Sequence, residues 1–161
     1  MKLLVPSFSC LLAAMAHGAP VEYVQEIRMT ATPEAVWASL TQPERVKTWH
    51  MAPLQKIELK KGGEIAYARD GKVLISGTVT EVETGVKLAH TFHFGASNHP
   101  GTESDEDTVV TYTLRKDGDA TVLKLVHSGF TEKNQTYTNV TGGWPFILKR
   151  LKATFDPSTA P

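Results

Sequence analysis

From Leu54 to Ser128 apolar and polar positions alternate with a period of two, the signature of strands that bury one face. Six segments carry it: Leu54–Lys60, Glu64–Arg69, Lys72–Val82, Val86–Phe94, Thr108–Lys116 and Ala120–Ser128. Turn residues separate several of them, at Gly62-Gly63, Asp70-Gly71, Glu83-Thr84-Gly85 and Asp117-Gly118-Asp119. These gaps leave no room for crossover helices, so neighbouring strands are expected to pair antiparallel as a meander. Upstream, Val21–Thr30 reads as a further strand. Thr32-Pro33-Glu34 then opens a helix with a cap, a proline at the first turn and an acid. Pro43 and Glu44 start a second short helix that ends near Trp49.

After Phe130 the period returns to that of a helix. Trp144, Leu148, Leu151 and Phe155 fall at i, i+4, i+7 and i+11, one apolar stripe. Gly142-Gly143 and Pro145 predict a boundary or kink near Trp144. A sheet with one apolar face and a helix with one apolar stripe must cover each other. The expectation is a single α+β domain whose curved antiparallel sheet of about seven strands wraps a long C-terminal helix.

Strand parity shows which polar residues share the buried face. His90 shares a face with Leu88, Phe92 and Phe94, and His127 shares one with Leu123 and Leu125. Two readings fit this pattern. Both histidines are hydrogen-bonded core residues, or both are polar anchors in a mostly apolar pocket. Either way each needs a partner such as Tyr112, a threonine hydroxyl, water or a ligand. His90 and His93 face opposite sides of a strand and cannot chelate one metal. No metal-ligand cluster, nucleophile motif, phosphate loop or dinucleotide fingerprint is present, so no metal or cofactor is expected. The stretch from Gly95 to Asp107 reads as a solvated hairpin tip, with Glu103, Asp105, Glu106 and Asp107 as loose candidates for a cation. Asn134 and Asn139 each open an N-x-T sequon, relevant only in a host that glycosylates exported chains.

Composition changes the picture at one end of the chain. Lys2, an apolar run from Leu3 to Met15 and an Ala-x-Ala at Ala14–Ala16 match a secretory signal peptide over residues 1–19. That run is too short to stay as a membrane anchor. The expected product is an exported domain, residues 20–161, periplasmic or secreted. Cys10, the only cysteine, leaves with the leader, so neither a disulfide nor a thiolate is available afterwards. Lys plus Arg equals Asp plus Glu at 17 each, with no basic stripe, which argues against nucleic acid as a partner.

TATPEAVWASLTQPERVKTWH, the Gly62-Gly63 turn, GTVTEVETGVKLAHTF, LVHSGF and GGWPFILKRLK occur in an order that resembles the activator of heat-shock-protein-90 ATPase homologue family. That family sits in the START-like, birch-pollen-allergen-like (SRPBCC) superfamily. The resemblance covers about residues 22 to 155 and implies a helix-grip fold with a deep cavity and a last helix beginning before Trp144. It also implies that Trp37, Trp49, Tyr67, Phe92, His127, Phe130, Trp144 and Leu148 approach the cavity, beside His90 and Tyr112 from the strand pattern. A binding protein for a small hydrophobic molecule or lipid is the leading expectation. The alternatives are a cyclase or hydrolase-like enzyme using His127 or His90 as acid or base, and a stress-related protein-interaction domain. The leader counts against a cytosolic co-chaperone role.

Overall fold

The computed structural model describes residues 20–95, 101–102 and 105–157. The proposed leader and Glu103 lie outside them. The chain runs β1 (Val21–Met29), α1 (Pro33–Thr41), α2 (Pro43–Trp49), β2 (Leu54–Ile57), β3 (Glu64–Arg69), β4 (Lys72–Glu83), β5 (Lys87–Phe94), β6 (Thr108–Asp117), β7 (Ala120–Phe130) and α3 (Gln135–Ala153). All seven strands form one antiparallel sheet in the order β1-β7-β6-β5-β4-β3-β2. Consecutive strands from β2 to β7 pair as a meander, and β1 closes the far edge on β7. This is the sheet-and-helix order that the periodicity predicts and the helix-grip architecture that the resemblance implies.

Local chemistry sets the helix starts. Thr32 Oγ1 accepts from Ala35 N at 3.3 Å, and Pro33 and Pro43 begin α1 and α2. At the third helix the outcome differs from the spacing argument. α3 begins at Gln135 and runs through Gly142, Gly143 and Pro145 without ending. Its start is fixed by Asn134 Oδ1, which accepts from Tyr137 N at 2.9 Å, and by Asp105 Oδ2, which accepts from Thr136 N at 2.8 Å. Those two side chains satisfy donors that a helix N-terminus leaves open. Thr136, Val140, Trp144, Leu148 and Leu151 then form the buried stripe, and this packing outweighs the weak propensity of the glycines and proline. The resemblance, with its longer helix, is right here.

Two glycines shape the sheet. Gly129, at φ 87°, interrupts the alternation of β7, so Phe130 joins the face that carries His127. Gly77 sits where β4 and β5 approach closely: a Cβ there would lie 1.9 Å from the Thr91 carbonyl oxygen. Gly77→Ala is therefore expected to cost about 3 kcal/mol, since backbone rather than a flexible side chain must yield. Gly142→Ala, where a Cβ meets nothing within 4 Å, is expected to gain about 0.5–1 kcal/mol through helix propensity. Urea titrations of both variants check the pair.

Candidate functional site

Between α3 and the β3–β5 end of the sheet lies a cavity of about 330 Å³, inside the range of roughly 300–1,000 Å³ usual for ligand pockets. Leu74 and Ile75 of β4 with Phe92 and Phe94 of β5 form the sheet wall. Asn139, Val140, Gly143, Trp144 and Ile147 of α3 form the opposite one. His50, Met51 and Ala52, directly after α2, close one side, and the exposed Arg69 stands at the rim. The space exists partly because Gly143 has no side chain. A Cβ there would meet only the Ile147 Cδ1, at 4.0 Å. The glycine that looks like a helix breaker in the sequence instead keeps the helix from filling the gap.

The aromatic and histidine side chains beside this cavity form one connected group. His127 is fully buried and uses both ring nitrogens. Trp144 Nε1 donates to His127 Nδ1 at 3.0 Å. An indole N–H can only donate, so the His127 proton sits on Nε2, which donates to Thr108 Oγ1 at 2.7 Å. The Thr108 hydroxyl in turn donates to the Phe92 carbonyl at 3.3 Å. This chain ties β5, β6 and β7 to α3. Burial and the neighbouring His90 push the His127 pKa down to about 3, so the ring is neutral near pH 7. Burial likewise lowers His50 and His90 to about 4.

Of the residues expected at the cavity, Phe92 and Trp144 line it. Trp49 and Tyr67 flank His50, with ring centroids 5.3 and 4.6 Å away. Tyr112 lies 6.3 Å from both His90 and Trp144. Phe130 packs 4.9 Å from His127. Trp37 and Leu148 are buried members of the same core. Sequence reasoning missed His50, whose Nδ1 lies 2.8 Å from the Ala52 carbonyl. It follows a helix and belongs to no periodic run, so only the aromatic cluster around it marks its place.

The other polar candidates have internal uses. Asp105 caps α3, and Asp107 pairs with His93 at 3.1 Å on the outer face of β5. Asn134 caps α3, while Asn139 accepts from Gln135 Nε2 at 2.9 Å beside the cavity. Among the described residues no three His, Cys, Asp or Glu side chains could hold a metal ion, and no helix is long and apolar enough to cross a membrane.

Residues 30–156 match the family model described as Activator of Hsp90 ATPase homolog 1-like protein. The chain belongs to this family. Among solved structures, MLL2253 from Mesorhizobium loti is 28% identical, with 85% of this chain and 98% of that one covered and a TM-score of 0.71. CalU16 from Micromonospora echinospora is 26% identical over 83% of this chain and 73% of that one, with a TM-score of 0.65. The Aha1 dimer from Colwellia psychrerythraea, 21% identical with 84% and 96% covered and a TM-score of 0.68, shares the fold. No curated protein matches the chain.

Proposed function

We propose that this family member is a binding protein that holds a small hydrophobic molecule or lipid between the sheet and α3. The observation that carries the reading is the cavity of about 330 Å³, walled mainly by aliphatic and aromatic side chains with His50, Arg69 and Asn139 as its few polar groups. A ligand burying roughly 300 Å² of apolar surface would gain about 7 kcal/mol before the entropy of association is counted. An enzyme draws less support. His127 has both nitrogens engaged within the fold, and the free nitrogen of His90 is shut off from solvent. Family membership favours a co-chaperone-like interaction domain as the second reading. Stimulation of a Hsp90 ATPase by the added chain would select it.

Gly143→Leu separates the first reading from a merely structural gap. The leucine points into open space and improves helix propensity by about 1 kcal/mol, while its side chain occupies the cavity. The unaltered protein is expected to take up the uncharged fluorescent probe N-phenyl-1-naphthylamine, and the variant to lose at least about tenfold in affinity while unfolding at higher urea. Equal uptake by both, or none by either, would remove the cavity from the function. Export is part of the same proposal, supported by the charged, apolar and small-residue pattern of residues 1–19. N-terminal sequencing of the native protein is expected to begin close to residue 20.

A further inference from the structure

The inner face of β3, β5 and β6 carries one buried polar atom that the fold leaves unpartnered, on His90, together with two buried phenols, Tyr67 and Tyr112. His90 Nδ1 lies 2.6 Å from the Thr91 carbonyl oxygen. A carbonyl only accepts, so Nδ1 holds the proton of the neutral ring and Nε2 keeps a bare lone pair. That Nε2 is buried with no hydrogen-bond partner among the described residues. Being the ring nitrogen farther from the backbone, it points away from β5 into the layer that α3 covers. Tyr67 and Tyr112 are buried residues on the same side of the sheet, and the Tyr112 ring lies 6.3 Å from that of His90. Ring contacts join these residues to the cavity wall. His50, a wall residue, stacks on Tyr67 at 4.6 Å, and Trp144, another, lies 6.3 Å from Tyr112.

The chemistry of the three tips selects what fits them. His90 Nε2 can only accept, whereas each phenol can donate. A hydroxyl group does both: it gives its proton to His90 and accepts one from a tyrosine. A charged group finds no counter-charge, because the buried polar side chains described are serine, threonine and neutral histidine. Arg69, the cation at the cavity, is exposed and its guanidinium donates to the Met51 carbonyl. The geometry points to a subsite behind the cavity, formed by Tyr67, His90 and Tyr112, that takes the hydroxyl end of an uncharged amphiphile. Rotation of the His50 ring would open it. This inference rests on the cavity uptake proposed above and names the polar end of what is taken up.

Three probes of one shape test it: 2-naphthol, naphthalene and 2-naphthoate, titrated calorimetrically into the full chain. 2-Naphthol is expected to bind at least about tenfold more tightly than either of the others. His90→Phe is expected to leave naphthalene affinity unchanged and to bring 2-naphthol down to it. Nitrogen-15 spectra of the unaltered chain give a readout that needs no variant: 2-naphthol moves the His90 Nε2 resonance and naphthalene does not. Equal affinity for 2-naphthol and naphthalene, or an unmoved His90 resonance on 2-naphthol binding, overturns the subsite while leaving cavity uptake standing. Tighter binding of 2-naphthoate overturns it in favour of Arg69 at the rim. Failure of all three probes to bind overturns both.

Discussion

Lowering the pH from 7 to 4 is expected to unfold the protein, without help from denaturant. His50 and His90 are depressed by burial to about 4 and His127 to about 3, against 6.5 in an unfolded chain. Below pH 6.5 the unfolded state takes up protons that the folded state refuses, so stability falls with pH through the window from 6.5 to about 4. One pKa unit corresponds to about 1.4 kcal/mol, so each ring removes roughly 3 kcal/mol by pH 4. Together the three remove up to roughly 10 kcal/mol, against total stabilities of about 5–15 kcal/mol for ordinary domains. Surface carboxylates add little in this window. Glu58, held below its usual pKa by Lys56, is an exposed group whose pairing water and salt screen. Urea titrations at pH 7.5 and 5 are expected to differ by several kcal/mol. His90→Phe, which removes one titrating ring, is expected to narrow that gap by about 2 kcal/mol. A stability that stays level between pH 7.5 and 5 would show that these rings are hydrated or paired when charged.

The periodicity argument and the structure agree wherever local pattern and tertiary packing demand the same thing. Strand parity alone places Leu88, His90, Phe92 and Phe94 on one face, and all four are buried. It cannot place Phe130, because Gly129 shifts the alternation by one residue, and a glycine in a strand does not announce a bulge. Asn134, legible in the sequence only as the opening of a sequon, caps α3 in the structure. The second support of that start, Asp105 accepting from Thr136 N, comes from a distant part of the chain that no local pattern marks. The cavity is still less legible. Gly143, Ala52 and Val140 shape it by being small, and smallness has no period. His50 and Arg69 reach it from the ends of elements, where side-chain direction follows chain path. A sequence states which faces are apolar; it does not state how far apart two apolar faces stop.

That distance is what His127 sets, and its removal is the severest single change expected. Its ring is a strut between layers: one nitrogen holds the indole of Trp144 on α3, the other the hydroxyl of Thr108 on β6. His127→Ala would leave a hole among Phe92, Phe130 and Trp144, whose rings lie 4.8, 4.9 and 6.1 Å from it. It would also strand the Trp144 N–H, a buried donor whose acceptor among the described residues is His127 Nδ1. Cavity and unpaired donor together are expected to cost about 4–5 kcal/mol at pH 7.5. His127→Phe leaves no hole, placing a somewhat larger ring there, and loses both hydrogen bonds, so it is expected to cost about 2–3 kcal/mol. Trp144→Phe removes one bond from the other side. If the strut is real, the double variant His127→Phe, Trp144→Phe costs about 1 kcal/mol less than the sum of the singles, because the bond they share is lost only once. Strict additivity in urea titrations would mean that the ring merely fills space. Because Phe92 and Trp144 both line the cavity, loosening the strut is also expected to weaken probe uptake in proportion to the lost coupling, linking the stability of the helix grip to its capacity for a ligand.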